Sequence, residues 1–192
     1  MKNIETNEQK PIFYVFTGIE NTLISKNFLN EYYKGGPAFV YEELKPDPNC
    51  MQALNTLIEK LEAQYDVRLI ITSKKRAYPV NCENYLYSNG LKYNKPIFYT
   101  KYVSGPRGEK IVDFLESQGA EPLEFHKMPF YVRILRNLKN NPDFDNYVVI
   151  EGGKNLSKYI PQKQIIKVQK RDGLTMDQVG EFLDKREISL EQ

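Results

Sequence analysis

The stretch Ile12-Phe13-Tyr14-Val15-Phe16 is continuously apolar and rich in residues that favour β-structure. Because no polar residue interrupts it, the pattern predicts a strand that is covered on both faces, as strands of a parallel sheet are. Comparable short runs recur farther along the chain, at residues 67–72, 96–100, 123–125, 147–150 and 164–168. The chain is therefore expected to contain a buried, mainly parallel sheet.

Segments with helical spacing separate these strands. Asp47 is placed to cap one helix with Pro48 in its first turn. Five apolar residues then follow on one helix face, namely Met51, Leu54, Leu57, Ile58 and Leu61. Further helices are predicted at residues 82–88, 108–118, 129–140 and 175–185, the last capped by Thr175. Strands that alternate with helices indicate an α/β fold, a three-layer sandwich around a mainly parallel, Rossmann-like sheet.

The composition and the unpatterned segments set the domain organisation. With 192 residues, 41% hydrophobic and 27% charged, the chain is expected to form a single domain over 11–188 after a flexible polar lead at 1–10. In residues 18–45 the apolar residues show no sustained helical or strand periodicity, and this segment is interpreted as a long loop or small flap. The formal net charge of +2 does not indicate nucleic acid, although binding through a local basic cluster stays open.

The cysteine and histidine counts and the lack of long apolar runs disfavour disulfide-rich, multi-histidine metal-binding and membrane-spanning proteins. Two cysteines, Cys50 and Cys82, do not make a disulfide framework, and one histidine, His126, cannot build a multi-histidine metal site. No apolar run approaches the roughly 20 residues that cross a bilayer. Residues 1–10 lack the apolar stretch of a signal peptide. We expect no membrane association and a cytoplasmic location.

Polar residues collect where the predicted strands end. The four stretches are Thr17-Gly18-Ile19-Glu20-Asn21-Thr22, Thr72-Ser73-Lys74-Lys75-Arg76, His126-Lys127-Met128-Pro129 and Glu151-Gly152-Gly153-Lys154. In an open parallel sheet the carboxyl ends share one edge, and ligands bind in the crevice where the strand order reverses. The functional site is therefore expected among these residues.

Three of these strand ends resemble motifs of the haloacid dehalogenase-like (HAD-like) superfamily. Its members have a strand ending in Asp-x-Asp-x-Thr/Val, a second ending in Ser or Thr, a basic residue before a later helix, and a strand ending in an acidic pair. The similar stretches here are Phe16-Thr17-Gly18-Ile19-Glu20-Asn21-Thr22-Leu23, Leu69-Ile70-Ile71-Thr72-Ser73 with Arg76, and Tyr147-Val148-Val149-Ile150-Glu151-Gly152. Gly173-Leu174-Thr175 also resembles the end of the HAD domains of Swiss-army-knife RNA repair proteins. The resemblance spans residues 12–185 and implies a HAD-like domain with a small flap instead of a large cap.

The resemblance also identifies what this chain lacks. In the family the first aspartate attacks phosphorus, and the matching residue is Gly18, which has no side chain; a shift of one residue would place Thr17 there. Glu20 matches the second aspartate, the general acid and base, and is the candidate catalytic residue. Glu151 is the one candidate ligand from the family's acidic pair, which binds Mg²⁺. We therefore expect a catalytically degenerate protein without a cofactor, and Mg²⁺ only if it is active.

The phosphate-binding positions are better matched than the catalytic ones. Thr72 or Ser73 is expected to donate a hydrogen bond to a phosphoryl oxygen, and the choice between them stays open. The family's basic residue is expected to be Lys127, 24 positions before Glu151, with two alternates, Arg107 and Lys110. Positive charge also follows the second strand at Lys74, Lys75 and Arg76. Such charges favour an anion through charge-assisted hydrogen bonds.

The leading hypothesis from the sequence is a pseudophosphatase that binds a phosphorylated ligand or a protein partner at the strand ends. The alternative is a metal-dependent phosphohydrolase that uses Glu20 and Glu151 with a metal-held water and no aspartyl nucleophile. A third hypothesis is an interaction protein whose pocket has collapsed. Tyrosines of the flap and middle region are candidates for a partner surface, namely Tyr32, Tyr33, Tyr41, Tyr85, Tyr87, Tyr93, Tyr99 and Tyr102.

Overall fold

The computed structural model describes residues 10–32, 44–102, 105–118, 145–152, 156 and 159–188. Their five strands are β1 Ile12–Thr17, β2 Asp66–Ile71, β3 Phe98–Tyr99, β4 Tyr147–Glu151 and β5 Ile165–Lys167. All strand pairs are parallel, and the order across the sheet is β3-β2-β1-β4-β5. The predicted Rossmann-like α/β fold with a parallel sheet is confirmed.

Five α-helices and two 3-10 helices occur in the described residues. The α-helices are α1 Lys26–Tyr32, α2 Pro48–Glu62, α3 Pro79–Ser88, α4 Arg107–Ser117 and α5 Met176–Asp184. The 3-10 helices are Lys74–Ala77 and Gln162–Gln164. The strand predicted at 123–125 and the helix predicted at 129–140 lie outside the described residues.

Helices cover both faces of the sheet. On one face, Val15 and Leu69 share a buried cluster with Leu57 of α2, Leu86 of α3 and Phe182 of α5. On the other face, a second cluster contains residues of β1, β2, β4 and α4, among them Phe16, Ile70, Val149, Ile111 and Leu115. Burial of each large apolar side chain stabilises the fold by about 1.5–3 kcal/mol. The uninterrupted apolar strands are thus explained by helix, sheet and helix layers.

The starts of α2 and α5 follow the caps that the sequence predicts. The Asp47 carboxylate accepts a hydrogen bond from the Asn49 backbone N–H at 2.9 Å, and Pro48 is the first residue of α2. At α5, Thr175 and Gln178 form a reciprocal capping box. Each cap satisfies backbone N–H groups that have no partner within the helix.

Residues 18–45, interpreted from the sequence as a long loop or small flap, contain a helix, α1, that the sequence pattern did not predict. This seven-residue helix begins after Ser25, whose hydroxyl accepts a hydrogen bond from the Phe28 backbone N–H at 3.1 Å. None of its residues is buried, so no apolar stripe marks it in the sequence. β3 is also shorter than predicted, since only Phe98 and Tyr99 pair with β2.

Candidate functional site

The strand order places the candidate site between β1 and β4. The chain runs outward from β1 to β2 and β3 and then returns to β4 on the other side of β1. Thr17 pairs with Ile150 at the carboxyl ends of these strands, so the next residues, Gly18 and Glu151, are neighbours. Ligand crevices of open parallel sheets lie at such a reversal.

Gly18 has three polar side chains around it. A Cβ atom built on Gly18 would lie 3.1 Å from Thr22 Oγ1, 3.4 Å from Glu151 Oε2 and 3.6 Å from Arg107 Nη1. The backbone of Gly18 is not in the left-handed region, so other residues can adopt its conformation. The structure therefore brings together Gly18 and Glu151, which the motifs single out, and adds Thr22 and Arg107.

Arg107 and Glu151 form an ion pair at the centre of this group. The Arg107 Nη1–H donates to Glu151 Oε2. The Glu151 side chain is 8% exposed and that of Arg107 is 34% exposed, so a buried carboxylate holds a guanidinium that reaches solvent. Arg107 makes no hydrogen bond from Nε or Nη2 to another described residue. A guanidinium presents five N–H donors in a rigid fork, and most of them remain for an anion.

The start of α4 positions Arg107. Gly105 has a φ of 117°, which glycine tolerates, and Pro106 then leads into the helix, whose first residue is Arg107. The ring of Tyr159 packs against Gly108, where a Cβ atom would lie 2.5 Å from Cδ2 of the ring. The Tyr159 hydroxyl also lies 3.2 Å from Glu109 Oε1. These contacts fix the first turn of α4, and with it the direction from which Arg107 approaches Glu151.

Thr22 contributes a buried hydroxyl that has no partner among the described residues. A tight turn after β1 is closed by the Leu23 backbone N–H, which donates to the Ile19 carbonyl at 2.9 Å, and this turn carries Thr22 back toward Gly18. The Thr22 side chain is fully buried, and its Oγ1 has no hydrogen bond to any described residue. An unsatisfied buried hydroxyl costs about 1–3 kcal/mol. No role for Thr22 followed from the sequence beyond its place in the first motif.

Glu20 contacts the end of the neighbouring strand. The Ser73 hydroxyl, fully buried after β2, donates to Glu20 Oε2 at 2.5 Å. The Thr72 hydroxyl donates to the Thr17 carbonyl at 3.1 Å, which ties the ends of β1 and β2 together. Of the two predicted phosphate-binding hydroxyls, Ser73 therefore faces an acidic side chain and Thr72 faces the backbone.

Three basic residues were alternatives for the basic position, and the structure places one of them at Gly18. Arg107 is that residue. Lys110 lies three residues further along α4 and is partly buried. Lys127 and His126 lie outside the described residues, as do the side chains of Lys75 and Arg76. Lys74 is exposed in the 3-10 helix after β2.

The described residues do not fit a magnesium ion, which the resemblance implies for an active enzyme. Mg²⁺ needs oxygen ligands at about 2.1 Å in octahedral geometry. Glu151 Oε2 is already bonded to Arg107, and Gly18 supplies no carboxylate. A Cβ atom on Gly152 would lie 2.9 Å from the Val168 carbonyl oxygen, so a second acid there would collide with the backbone. In the part of the chain that is described, no three His, Cys, Asp or Glu side chains form a metal-binding group.

Cys50 does not offer a reactive thiolate at neutral pH. Cys50 and Cys82 are buried and form no disulfide. Burial and the nearby negative charge of Asp47 raise the pKa of the Cys50 thiol to about 12. The nucleophilic form is the thiolate, so Cys50 stays unreactive near pH 7.

The tyrosines of the middle region divide into exposed and packed groups. Tyr32, Tyr87 and Tyr102 are 54%, 41% and 61% exposed. Tyr85, Tyr93 and Tyr99 pack against or within the core, and Tyr33 and Tyr41 lie outside the described residues. The exposed tyrosines sit on α1, on α3 and after β3, so they come from different elements rather than from one segment.

Comparison with protein-family models, with curated proteins and with solved structures found no match to this chain. None of the helices in the described ranges has the length and apolar character that a bilayer crossing requires.

Proposed function

We propose that this chain is a degenerate HAD-like phosphatase-fold protein that binds a phosphorylated ligand at the carboxyl ends of β1 and β4 without hydrolysing it. The position of Gly18 is the observation that carries the proposal. It lies among Thr22, Glu151 and Arg107, at the strand end where the order of the sheet reverses. Hydrolysis through a phosphoryl-enzyme needs a nucleophilic side chain, and glycine has none.

The free donors around Gly18 favour an oxyanion as the ligand. Arg107 is held by Glu151 through Nη1, which leaves Nε and Nη2 for a phosphoryl oxygen. Arg binds phosphate in a bidentate manner and with fixed geometry, and such charge-assisted bonds are about twice as strong as neutral ones. The Thr22 hydroxyl is a further donor beside the same residue.

Inorganic phosphate is the probe for this proposal. We expect isothermal titration calorimetry to detect its binding to the full chain. At about ten times the dissociation constant, phosphate should raise the free energy of unfolding by about 1.4 kcal/mol. In a chain of this length that corresponds to an increase in Tm of roughly 3–6 °C.

Arg107→Lys tests the named side chain. The lysine keeps a positive charge beside Glu151 but loses the planar fork, so we expect phosphate affinity to fall about tenfold. Arg171→Gln is the matched control, because Arg171 is 74% exposed and pairs with Asp172 rather than with Glu151. Equal phosphate affinity in wild type and Arg107→Lys, with both proteins folded by circular dichroism, would contradict the proposal.

A working phosphohydrolase is the second candidate. The contact between Glu20 and Ser73 favours it over an interaction protein with a collapsed pocket. Glu20 lies at the strand-end face with a buried hydroxyl bonded to its carboxylate, as a positioned general base would. Magnesium-dependent hydrolysis of p-nitrophenyl phosphate that is abolished by Glu20→Gln would establish this candidate. Phosphate binding without any such turnover would support the binding protein instead.

A further inference from the structure

We propose that the Arg107 guanidinium takes the place of a divalent cation in this site, so that an oxyanion binds there without any metal. The inference rests on the proposed phosphate-binding function and specifies its chemistry. It rests on the carboxylates at the ends of β1 and β4, which are fewer than a divalent metal needs.

The guanidinium and a metal would compete for the Glu151 carboxylate. A cation that bridges the ends of β1 and β4 must bind Glu151, since Gly18 has no side chain and Gly152 has none either. Arg107 Nη1 is hydrogen-bonded to Glu151 Oε2 and lies 3.6 Å from the Cβ position of Gly18. A metal within bonding distance of that oxygen would have to displace Arg107.

The surrounding structure keeps one carboxylate, Glu151, paired with one guanidinium, Arg107. One carboxylate faces one guanidinium, and both are held, Glu151 by its burial and Arg107 by the packed first turn of α4. A second carboxylate at position 152 is blocked by the Val168 carbonyl at 2.9 Å.

The unpaired Thr22 hydroxyl indicates where the anion contacts the protein. Its oxygen lies 3.1 Å from the Cβ position of Gly18, on the same residue that Arg107 approaches. An oxyanion that accepts from Arg107 and from Thr22 would satisfy this buried group. In this arrangement Glu151 acts as a positioning residue, because it orients the guanidinium.

The first arm of the test measures phosphate binding by calorimetry in excess EDTA and in excess MgCl₂. We expect the two dissociation constants to agree within about twofold once the magnesium–phosphate complex in solution is accounted for. Loss of binding in EDTA would overturn the inference while leaving the proposed function intact. Absence of phosphate binding under both conditions would instead refute the proposed function.

The second arm measures Mn²⁺ binding by electron paramagnetic resonance and does not depend on phosphate. Wild type and Gly18→Asp should bind no Mn²⁺ at this site, because the new carboxylate of the variant would pair with Arg107. The double variant Gly18→Asp, Arg107→Gln frees two carboxylates, and we expect its Mn²⁺ affinity to exceed that of either single variant by about tenfold or more.

Two outcomes of the second arm would overturn the inference. One is tight Mn²⁺ binding by wild type that is lost in Glu151→Gln. The other is a folded double variant with no gain in Mn²⁺ affinity. If the double variant does not fold, Arg107→Gln alone decides, since it also releases Glu151: we expect it to bind Mn²⁺ more tightly than wild type, and an affinity equal to that of wild type would overturn the inference. Arg171→Gln is the control for the loss of one positive charge elsewhere.

Discussion

Gly18 and Gly152 follow adjacent strands, yet they differ in the space that a side chain would find. A Cβ atom on Gly18 would meet the side-chain oxygen of Thr22 at 3.1 Å, and a small rotation of that side chain relieves the contact. A Cβ atom on Gly152 would meet the Val168 carbonyl at 2.9 Å, and that oxygen belongs to the backbone following β5. The packing around residue 18 therefore leaves room for a small side chain, whereas at residue 152 a side chain would clash with the backbone.

This difference predicts unequal stabilities for two matched variants. Gly18→Ala should change the free energy of unfolding by less than about 1 kcal/mol, because the added methyl group needs only a small side-chain adjustment. Gly152→Ala should destabilise by about 1–3 kcal/mol, because β5 must shift to accommodate it. Urea unfolding followed by circular dichroism measures both values. Similar losses in the two variants would contradict the close approach of the Val168 carbonyl to Gly152.

At the scale of elements, Asp47 joins α2 to the segment after β1. Its carboxylate accepts from the Asn49 backbone N–H at 2.9 Å and from the Ser25 hydroxyl at 2.6 Å. Asp47→Ala should therefore destabilise the protein by about 1–2 kcal/mol, the usual range for loss of a helix cap, and the Ser25 hydroxyl loses the acceptor of its own hydrogen bond in addition. Urea unfolding is again the measurement.

Glu59→Ala is the control for Asp47→Ala, since Glu59 is exposed on α2 and lies far from the N-terminal cap. It should change the stability by less than about 0.5 kcal/mol. An effect of Asp47→Ala as small as that of Glu59→Ala would show that the cap contributes nothing measurable.

Elements with a buried apolar face were predictable from the sequence, and elements without one were not. α2 shows its apolar stripe and its cap in consecutive residues, and β4 is an unbroken apolar run, so local patterns suffice for both. α1 has no fully buried residue, although the half-buried Leu29 packs against the core, and it contacts the segment near Asp172, which is distant in sequence. No local period encodes such contacts.

The same limit applies to the candidate site. The strand ends located Gly18, Glu20, Ser73 and Glu151, because a parallel sheet gathers its carboxyl ends at one edge. The pairing of Arg107 with Glu151 joins residues 44 positions apart and depends on how α4 docks. For that reason the sequence left Arg107 as one of the two alternates to Lys127. The packing of the Tyr159 ring against Gly108 was likewise not predictable.

For the whole molecule, two cores that share one sheet predict cooperative unfolding. β1 contributes Val15 to one cluster and Phe16 to the other, so neither cluster can be lost while the strand stays intact. We expect a single transition in which tyrosine fluorescence and far-ultraviolet circular dichroism coincide and the calorimetric and van't Hoff enthalpies agree. Two resolved transitions would instead indicate that the single domain expected over 11–188 is divided.

The shortness of the outer strands has a consequence for association between copies of the chain. In the described part of the sheet, the edge strands β3 and β5 have two and three residues. A strand from another molecule that docked on either edge would find only a few unpaired N–H and C=O groups, too few to template an extended ladder. Within the described residues, these two edges thus present little surface for edge-to-edge aggregation, which longer exposed edges would invite.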